Sequence, residues 1–193
     1  MNIFYLDPDP RTCAQMHCDK HVVKMIIEYA QLMSTAHRIL DGEQYTDMTA
    51  AGRRIQRWRL NDEREAILYK ASHINHPSAI WCRENLANYH WLYTMWSHLL
   101  DEYTYRYGKT HACAKLKETL RFPPTKIRIN DFFAPTPAMP QDLKIVAENP
   151  APGRKYDVLR SYRKYYIQNK PHLASWSGKI NSRPIPEWYN ASV

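Results

Sequence analysis

A polar stripe runs along a segment that is otherwise apolar enough for a protein interior. Between Val22 and Met33 most residues are apolar, yet polar side chains recur at steps of three and four residues, namely His17, His21, Lys24, Glu28, Gln31 and Thr35. This spacing places them on one face of a helix. Charged groups on a buried face are costly unless they are paired or used. The stripe is therefore the candidate active site, with His21, Lys24 and Glu28 as candidate catalytic residues.

The carboxylate of Glu28 can do two kinds of chemistry. In apolar surroundings its pKa rises and it can act as a general acid or base; when ionised, it can stabilise the oxocarbenium-like transition state of N-glycosidic cleavage. Lys24 precedes it by one turn and is a natural salt-bridge partner, so a cluster that only satisfies itself is the structural alternative. Cys13, His17 and His21 have the spacing of metal ligands on a helix but match no zinc pattern, so we expect no metal and no cofactor.

A second cluster of candidate ligands lies where the next long helix begins. Pro77 suits the first helical position, and His73, Asn75 and His76 precede it. Backbone N–H groups at a helix N-terminus attract phosphate, and Arg83 follows in the same segment. His76 and Arg83 are therefore candidate phosphate-binding residues; the alternative is an ordinary helix cap with surface histidines.

These candidates are expected to sit on an all-α fold, a single domain over 1–193 with three to five helices. Asp9 and Pro10 form a good helix start, so one long helix is predicted from there to Leu40. The longest apolar periodicity predicts a helix over 77–107, ended by Gly108. Shorter helices are predicted at 61–71, 111–120 and 155–169. We expect a basic loop insertion at 41–60, a Pro-rich connector at 121–152 and an irregular basic segment over 176–189.

Positive charge is concentrated in the last part of the chain. The net charge is +8, and residues 151–193 contain eight basic side chains against two acidic ones. A segregated positive surface is typical of proteins that bind a polyanion, most often nucleic acid; the alternative, a solvated basic tail, fits poorly with the interleaved Tyr and Trp. Aromatic faces can stack on extruded bases while Lys and Arg hold the backbone. Further candidate contacts are His17, Lys20, Arg160, Arg163, Lys164, Lys179, Arg183, Trp188 and Tyr189.

No feature of the sequence indicates secretion or membrane insertion. The first ten residues are polar, and Lys24 and Glu28 interrupt the best apolar run before it reaches the roughly 18 residues of a membrane span. Four cysteines without a secretion signal or a CxxC pair indicate reduced thiols. We therefore expect a protein that makes no membrane contact and lies in the cytoplasm, or in the host cytoplasm if its source is viral.

The candidate residues resemble those of a known family. Asp19-Lys20-His21 followed by Glu28 looks like the Asp-Gln-His…Glu helix of the endonuclease V-type pyrimidine-dimer DNA glycosylases of bacteriophages. Two further blocks in the same order, 76–108 and 183–189, are similar to its second long helix and its Arg-Pro…Trp-Tyr segment. The resemblance implies that Glu28 is catalytic and that His21 lines the DNA site. It also implies a nucleophilic α-amino group, exposed by removal of the initiator methionine, that forms a Schiff base with sugar C1′.

The chain departs from this family where the amine is concerned. Residue 2 is Asn, a poor context for removal of Met1, and Ile27 stands where the family has an arginine. Either the Met1 amine or Lys24 would have to act as nucleophile, Lys24 only if burial lowers its pKa. The leading hypothesis is an N-glycosylase that extrudes a damaged or modified nucleotide from duplex DNA, with or without a lyase step. The alternatives are an enzyme that acts on free nucleotides or hypermodified bases, and a non-enzymatic binder of DNA or a nucleotide signal.

Overall fold

Helices dominate the computed structural model, which describes residues 1–190. Within this range it has eight helices: α1 (Pro10–Met16), α2 (Asp19–Asp41), α3 (Arg64–Ile67), α4 (Pro77–Glu84), α5 (Leu86–Tyr107), α6 (Lys117–Arg121), α7 (Val158–Asn169) and α8 (Glu187–Asn190). Two antiparallel strand pairs accompany them, β1 (Glu43–Met48) with β2 (Arg54–Arg59) and β3 (Ile145–Val146) with β4 (Tyr156–Asp157). The mostly helical fold is confirmed, whereas the expected three to five helices were too few.

The predicted first helix is two helices. Its start is confirmed, because the Asp9 carboxylate accepts a hydrogen bond from the Thr12 amide at 2.8 Å. It ends at Met16, and the backbone is extended at His17 and Cys18 before α2 begins. The break has a physical reason: Arg106 of α5 donates to the carbonyl oxygens of Gln15 and His17, at 2.8 and 2.9 Å, which a continuous helix would have used internally.

The predicted helix over 77–107 is also interrupted. Asn85 has an extended backbone, and its side chain accepts from the Asn88 amide at 2.9 Å, which caps α5. Gly108 ends α5 in the left-handed conformation with φ of 64°, as the sequence predicted. The apolar pattern continues through this point, but the Asn85 side chain forms a cap that ends one helix and starts the next.

The segment predicted as a basic loop over 41–60 contains a β-hairpin. Glu43 pairs with Arg59 and Met48 with Arg54, while the Arg59 guanidinium lies 4.9 Å from the Tyr45 ring centre. The alternating charged residues gave little strand signal, since the hairpin is stabilised by cross-strand pairs rather than by an apolar face. The predicted helix at 61–71 is reduced to the single turn of α3, and 111–120 divides into a 3₁₀ turn and α6.

The core surrounds the middle of α2, which packs against α4 and α5. Its apolar side, with Val22, Ile26, Tyr29 and Met33, is buried, and the indole of Trp96 on α5 donates to the Ile26 carbonyl oxygen at 2.9 Å.

Four cysteines are buried free thiols, as predicted. Among the described residues, no helix is both long and apolar enough to span a bilayer.

Candidate active site

The N-terminal segment is threaded along α2 and buried there. The backbone amide of Phe4 donates to the Tyr29 hydroxyl at 3.2 Å, and that hydroxyl lies 3.0 Å from Nε2 of His17. The Phe4 ring stacks on the imidazole of His21 with 4.2 Å between ring centres. Because Ile3 is fully buried, the segment has little freedom to shift. These contacts fix where the chain begins relative to α2.

The first atom of the chain therefore lies against Glu28. The Met1 amine is 3.9 Å from Oε2 of Glu28, and the side chains of these two residues are 6% and 17% exposed. On the solvent side, Nζ of Lys24 is 3.3 Å from Oε1 of the same carboxylate, but the Lys24 side chain is 71% exposed. One carboxylate thus contacts two amines, one sheltered and one in water. A carboxylate beside a sheltered amine can take its proton and later stabilise a cation formed nearby.

His76, the N-cap residue that precedes α4, lies within electrostatic range of this group. Its Nδ1 accepts from the Ser78 amide at 3.1 Å and caps the helix, which is the alternative role expected from the sequence. Burial lowers the pKa of His76, the positive charges of the Met1 amine and His73 lower it further, and Glu28 opposes them. His76 is therefore electrostatically coupled to the Met1–Glu28 pair and also serves as a helix cap.

Arg83, two turns after His76 on α4, has an unused donor. Its Nη1 is buried without a hydrogen-bond partner among the described residues, and burial lowers the pKa of its guanidinium. Buried polar atoms are nearly always paired in native proteins. An orphaned guanidinium nitrogen is thus consistent with the predicted role of Arg83 as an anion ligand.

A cationic groove of about 840 Å³ opens beside α2. We call it the lysine groove; four lysines line it, together with His21, Tyr103, Tyr107 and His172, and these lysines are Lys20, Lys24, Lys170 and Lys179. The single carboxylate in its lining, that of Asp19, is already engaged by the Arg106 guanidinium at 3.0 Å and the Ser175 hydroxyl at 2.7 Å. The groove therefore presents net positive charge to solvent. Lys20 and Lys179, both predicted from the sequence as nucleic-acid contacts, are among the residues that line it.

His21 forms part of the floor of the lysine groove and is only 5% exposed. Burial, followed by the positive charges of His17, Lys170 and Lys24, lowers its pKa to about 3. Its Nδ1 is hydrogen-bonded to the Tyr166 hydroxyl. The imidazole is thus neutral near pH 7, which suits a positioning group better than a proton donor.

His17 does not share the face predicted for it. It lies in the break between α1 and α2, fully buried, with Nδ1 2.8 Å from the Cys13 carbonyl oxygen and Nε2 bonded to Tyr29. A phosphate cannot reach it, so the prediction that His17 contacts nucleic acid is wrong. The helical spacing of the polar residues assumed one continuous helix. Because the helix is broken at His17 and Cys18, the His17 ring points into the core instead.

The remaining basic candidates already have partners within the protein. Arg163 donates to the Leu6 carbonyl oxygen at 2.9 Å, and Lys164 donates to that of Asp142 at 2.7 Å. Arg183 is ion-paired with the buried Glu102 at 2.5 Å. The exposed Arg160 lies 3.6 Å from a carboxylate oxygen of Glu148.

The aromatic candidates at the C-terminus pack onto the body of the protein. Trp188 lies edge-on to Tyr166 with ring centres 5.9 Å apart, and Tyr189 lies edge-on to Trp176 at 5.1 Å. Trp188 also donates from its indole to Sδ of Met16 at 3.3 Å. Trp188 and Tyr189 are thus packed against the rest of the protein.

Sequence reasoning missed several groove residues. Lys170, His172, Tyr103 and Tyr107 come from the end of α7, the turn after it and the last turns of α5. The one sequence signal among them is Pro171, which predicts that α7 ends near Lys170; it does not place Lys170 in the groove. No spacing rule relates these residues to α2, since they meet it only in the folded protein.

Comparison with known proteins assigns the chain to a family. A model of the family described as pyrimidine dimer DNA glycosylase matches residues 1–115. The chain belongs to this family. Searches among curated proteins and among solved structures find no match. The matched residues contain both members of the Met1–Glu28 pair as well as His76 and Arg83, whereas Lys170 and Lys179 of the lysine groove lie beyond them. Membership in the family indicates a DNA glycosylase with DNA as its substrate.

Proposed function

We propose that this protein excises a damaged base from duplex DNA with Glu28 as catalytic carboxylate and the amine of Met1 as nucleophile. The observation that carries the proposal is the 3.9 Å separation between the Met1 nitrogen and Oε2 of Glu28 in a sheltered site. The proposal keeps the chemistry that the family resemblance implies and assigns the amine to residue 1. Because Asn at position 2 disfavours removal of Met1, we expect methionine to remain the N-terminal residue and to supply the amine.

The proposed reaction begins with transfer of a proton from the Met1 ammonium to Glu28. The free amine attacks C1′ of the extruded nucleotide, forming a C–N bond as the glycosidic bond breaks; its electron pair leaves with the base, which takes the proton held by Glu28. The Glu28 carboxylate then removes a proton from the bound nitrogen. The nitrogen lone pair forms a C=N bond as the C1′–O4′ bond opens, which gives an iminium ion, the Schiff base between Met1 and the sugar, while O4′ keeps the electron pair of the broken bond and takes the proton from Glu28. The Glu28 carboxylate lies where that positive charge develops. β-Elimination from this adduct would constitute the lyase step.

Lys24 is the other amine in contact with Glu28, and its surroundings favour a different role. Its side chain is 71% exposed and lines the lysine groove. A solvated ammonium at the edge of a cationic groove suits a phosphate contact. The supporting contacts for DNA are Lys20, Lys24 and Lys179 in the groove and Arg83 on α4.

Borohydride trapping on duplexes with an abasic site or a cyclobutane thymine dimer tests this assignment. We expect a covalent adduct whose peptide map carries the sugar on the N-terminal peptide. Lys24→Ala should still form the adduct, whereas Glu28→Gln should bind DNA and lower the excision rate at least about 100-fold. An adduct at Lys24, an adduct beginning at Asn2, or tight mononucleotide binding without duplex affinity would contradict the proposal.

A further inference from the structure

The hairpin of β1 and β2 has one face whose charges are used within the protein and one face that is open to solvent. Side chains alternate between the two faces, and residues paired across the strands share a face. Both carboxylates of the hairpin lie on the first face, where Asp47 is 3.9 Å from Arg57 and Glu43 is paired in register with Arg59. We call the second face the open face; its residues are Gln44, Thr46, Met48, Arg54, Gln56 and Trp58. None of these six residues is acidic, and all except Trp58 are exposed.

Three side chains of the open face form a polar ladder. Nε2 of Gln44 donates to Oε1 of Gln56 at 3.1 Å, and Nε2 of Gln56 donates to Oγ1 of Thr46 at 3.2 Å. An amide side chain has two N–H donors and two carbonyl lone pairs, so Gln56 keeps one of each. One donor beside one acceptor is the set with which glutamine binds N7 and N6 of adenine in the major groove. The ladder therefore orients Gln56 with this set free.

The end of the hairpin adds positive charge. Four of the seven residues from 53 to 59 are arginines. The Arg59 guanidinium lies 4.9 Å from the Tyr45 ring centre on the first face. Arg53 in the turn and Arg54 on the open face are exposed, and neither guanidinium has an ion pair within residues 1–190. An ordinary solvated surface mixes charges of both signs, whereas this face offers a partner only amides, a hydroxyl and cations.

The hairpin is attached to α2 on nearly the same side as Glu28. The guanidinium of Arg38, which is buried in α2, donates to the Trp58 carbonyl oxygen at 3.0 Å. Arg38 follows Glu28 by ten residues, which places the two about 80° apart around the helix axis. The thirteen residues from Glu28 to the end of α2 at Asp41 span about 20 Å, and β1 begins two residues later. Because a duplex advances about 3.4 Å per base pair, this distance corresponds to about six base pairs.

We propose that the open face lies in the major groove of the substrate duplex, about six base pairs from the extruded nucleotide, and reads an adenine there through Gln56. Arg53 and Arg54 contact phosphates at the edge of the same groove. The proposal rests on the proposed function, because it takes duplex DNA as the substrate. The major groove is wide enough for a two-stranded ribbon, and amide and guanidinium groups are the side chains that recognise its base edges. Excision then depends on the sequence beside the lesion as well as on the lesion.

Removal of the two amides tests the sequence readout. Gln44→Thr with Gln56→Thr replaces both by a residue that favours strands, and Gln168→Ala, at an exposed position of α7, is the control. The excision rate is measured on thymine-dimer duplexes whose flanking base pairs are randomised. Wild-type protein should prefer adenine about tenfold at one position about six base pairs from the dimer. The control should keep this preference and the double variant should lose it. A wild-type rate that ignores distant base pairs, or a preference that survives in the double variant, would overturn the readout.

A second variant at the end of the hairpin leaves the ladder intact and tests the phosphate contacts. Arg53→Gln with Arg54→Gln should weaken binding about tenfold on a duplex with about ten base pairs on each side of the dimer. Shortening one of the two arms to about three base pairs should weaken wild-type binding to the same level and leave the variant unaffected. Shortening the other arm should affect both proteins equally. The same ratio of affinities on all three duplexes would exclude a hairpin contact at a fixed distance.

Borohydride trapping on a short single-stranded abasic oligonucleotide separates this proposal from the proposed function. Such a substrate does not reach the hairpin, so both hairpin variants should trap it within about twofold of the wild-type rate. Normal trapping without sequence preference or dependence on arm length would overturn the hairpin contact alone. Wild-type protein that shows both dependences in binding but traps no substrate would overturn the proposed chemistry and leave the hairpin contact standing.

Discussion

Glu28 contacts two amines that differ in their exposure to water. The Met1 amine sits in a sheltered site because the N-terminal segment is held by its own backbone, chiefly through the Phe4 amide and the Tyr29 hydroxyl. Lys24 reaches the same carboxylate from solvent, and exposed ion pairs of this kind contribute little to stability. The position of the amine beside Glu28 therefore depends on how the N-terminal segment is anchored to α2.

The anchor at Tyr29 can be tested by removing one oxygen atom. Tyr29→Phe leaves the Phe4 amide and Nε2 of His17 without partners in a buried site. We expect the free energy of unfolding to fall by about 1–3 kcal/mol and the trapping rate to fall with it, because Met1 loses its fixed position. Urea denaturation and trapping kinetics measure the two effects. Tyr105→Phe makes the same change at an exposed hydroxyl and should leave both nearly unchanged.

At the scale of elements, Asp19 connects the start of α2 to the segment that forms the far wall of the lysine groove. Its carboxylate accepts from the Ser175 hydroxyl and from the Gly178 amide at 3.1 Å, and it pairs with the buried Arg106. Gly178 adopts φ of 61°, and a Cβ there would lie 2.1 Å from the Asn181 carbonyl oxygen. The wall is therefore a tightly turned segment attached to α2 and α5 by side chains.

Loss of this attachment should loosen the wall before it unfolds the protein. For Asp19→Ala we expect faster amide hydrogen exchange over residues 174–183 and a stability loss of about 2–4 kcal/mol, because a buried guanidinium loses one of its partners. Hydrogen exchange read by mass spectrometry locates the effect. Asp101→Ala, a change at a largely exposed carboxylate, is the control. Unchanged exchange over 174–183 would show that other contacts hold the wall.

For the whole molecule, the distribution of charge predicts how DNA binding depends on salt. Each lysine of the groove that neutralises a phosphate adds about 0.9 to the slope of log affinity against log salt concentration. Lys170→Gln with Lys179→Gln should therefore lower that slope by about 1.8 on an undamaged duplex. Lys115→Gln with Lys126→Gln removes the same charge from exposed positions outside the groove lining and should change the slope far less. Equal changes for the two pairs would mean that only net charge matters.

The stability of the whole fold should also depend on pH through three buried histidines. Burial lowers the pKa of His17 and His37 to about 4 and that of His21 to about 3, whereas unfolded histidine titrates near 6.5. Between those values the unfolded chain binds more protons. The free energy of unfolding should therefore fall as pH drops from about 6.5 towards 4, by up to about 1.4 kcal/mol per pH unit for each histidine.

Urea denaturation at pH 7, 6 and 5 measures this dependence. His37→Gln should reduce the slope, because one of the three buried imidazoles is removed. His172→Gln, at an exposed position, should leave it unchanged. Stability that is constant from pH 7 to pH 5 would contradict the prediction.

The sequence by itself determined the helical class, the helix start at Asp9, the helix end at Gly108 and the buried side of α2. These features depend on residues close together in the chain, where periodicity and capping act directly. The spacing from His21 to Glu28 and the neighbouring motifs also led to the family, which the match over residues 1–115 confirms.

Only the tertiary structure decided which groups meet. It broke two predicted helices because Arg106 and Asn85 offered the backbone better hydrogen bonds, and it turned His17 into the core. It also brought the Met1 amine to Glu28 and Lys170 to Lys24, pairs that are 27 and 146 residues apart in the chain. Contacts across such separations arise from packing of whole elements, for which local sequence carries no rule.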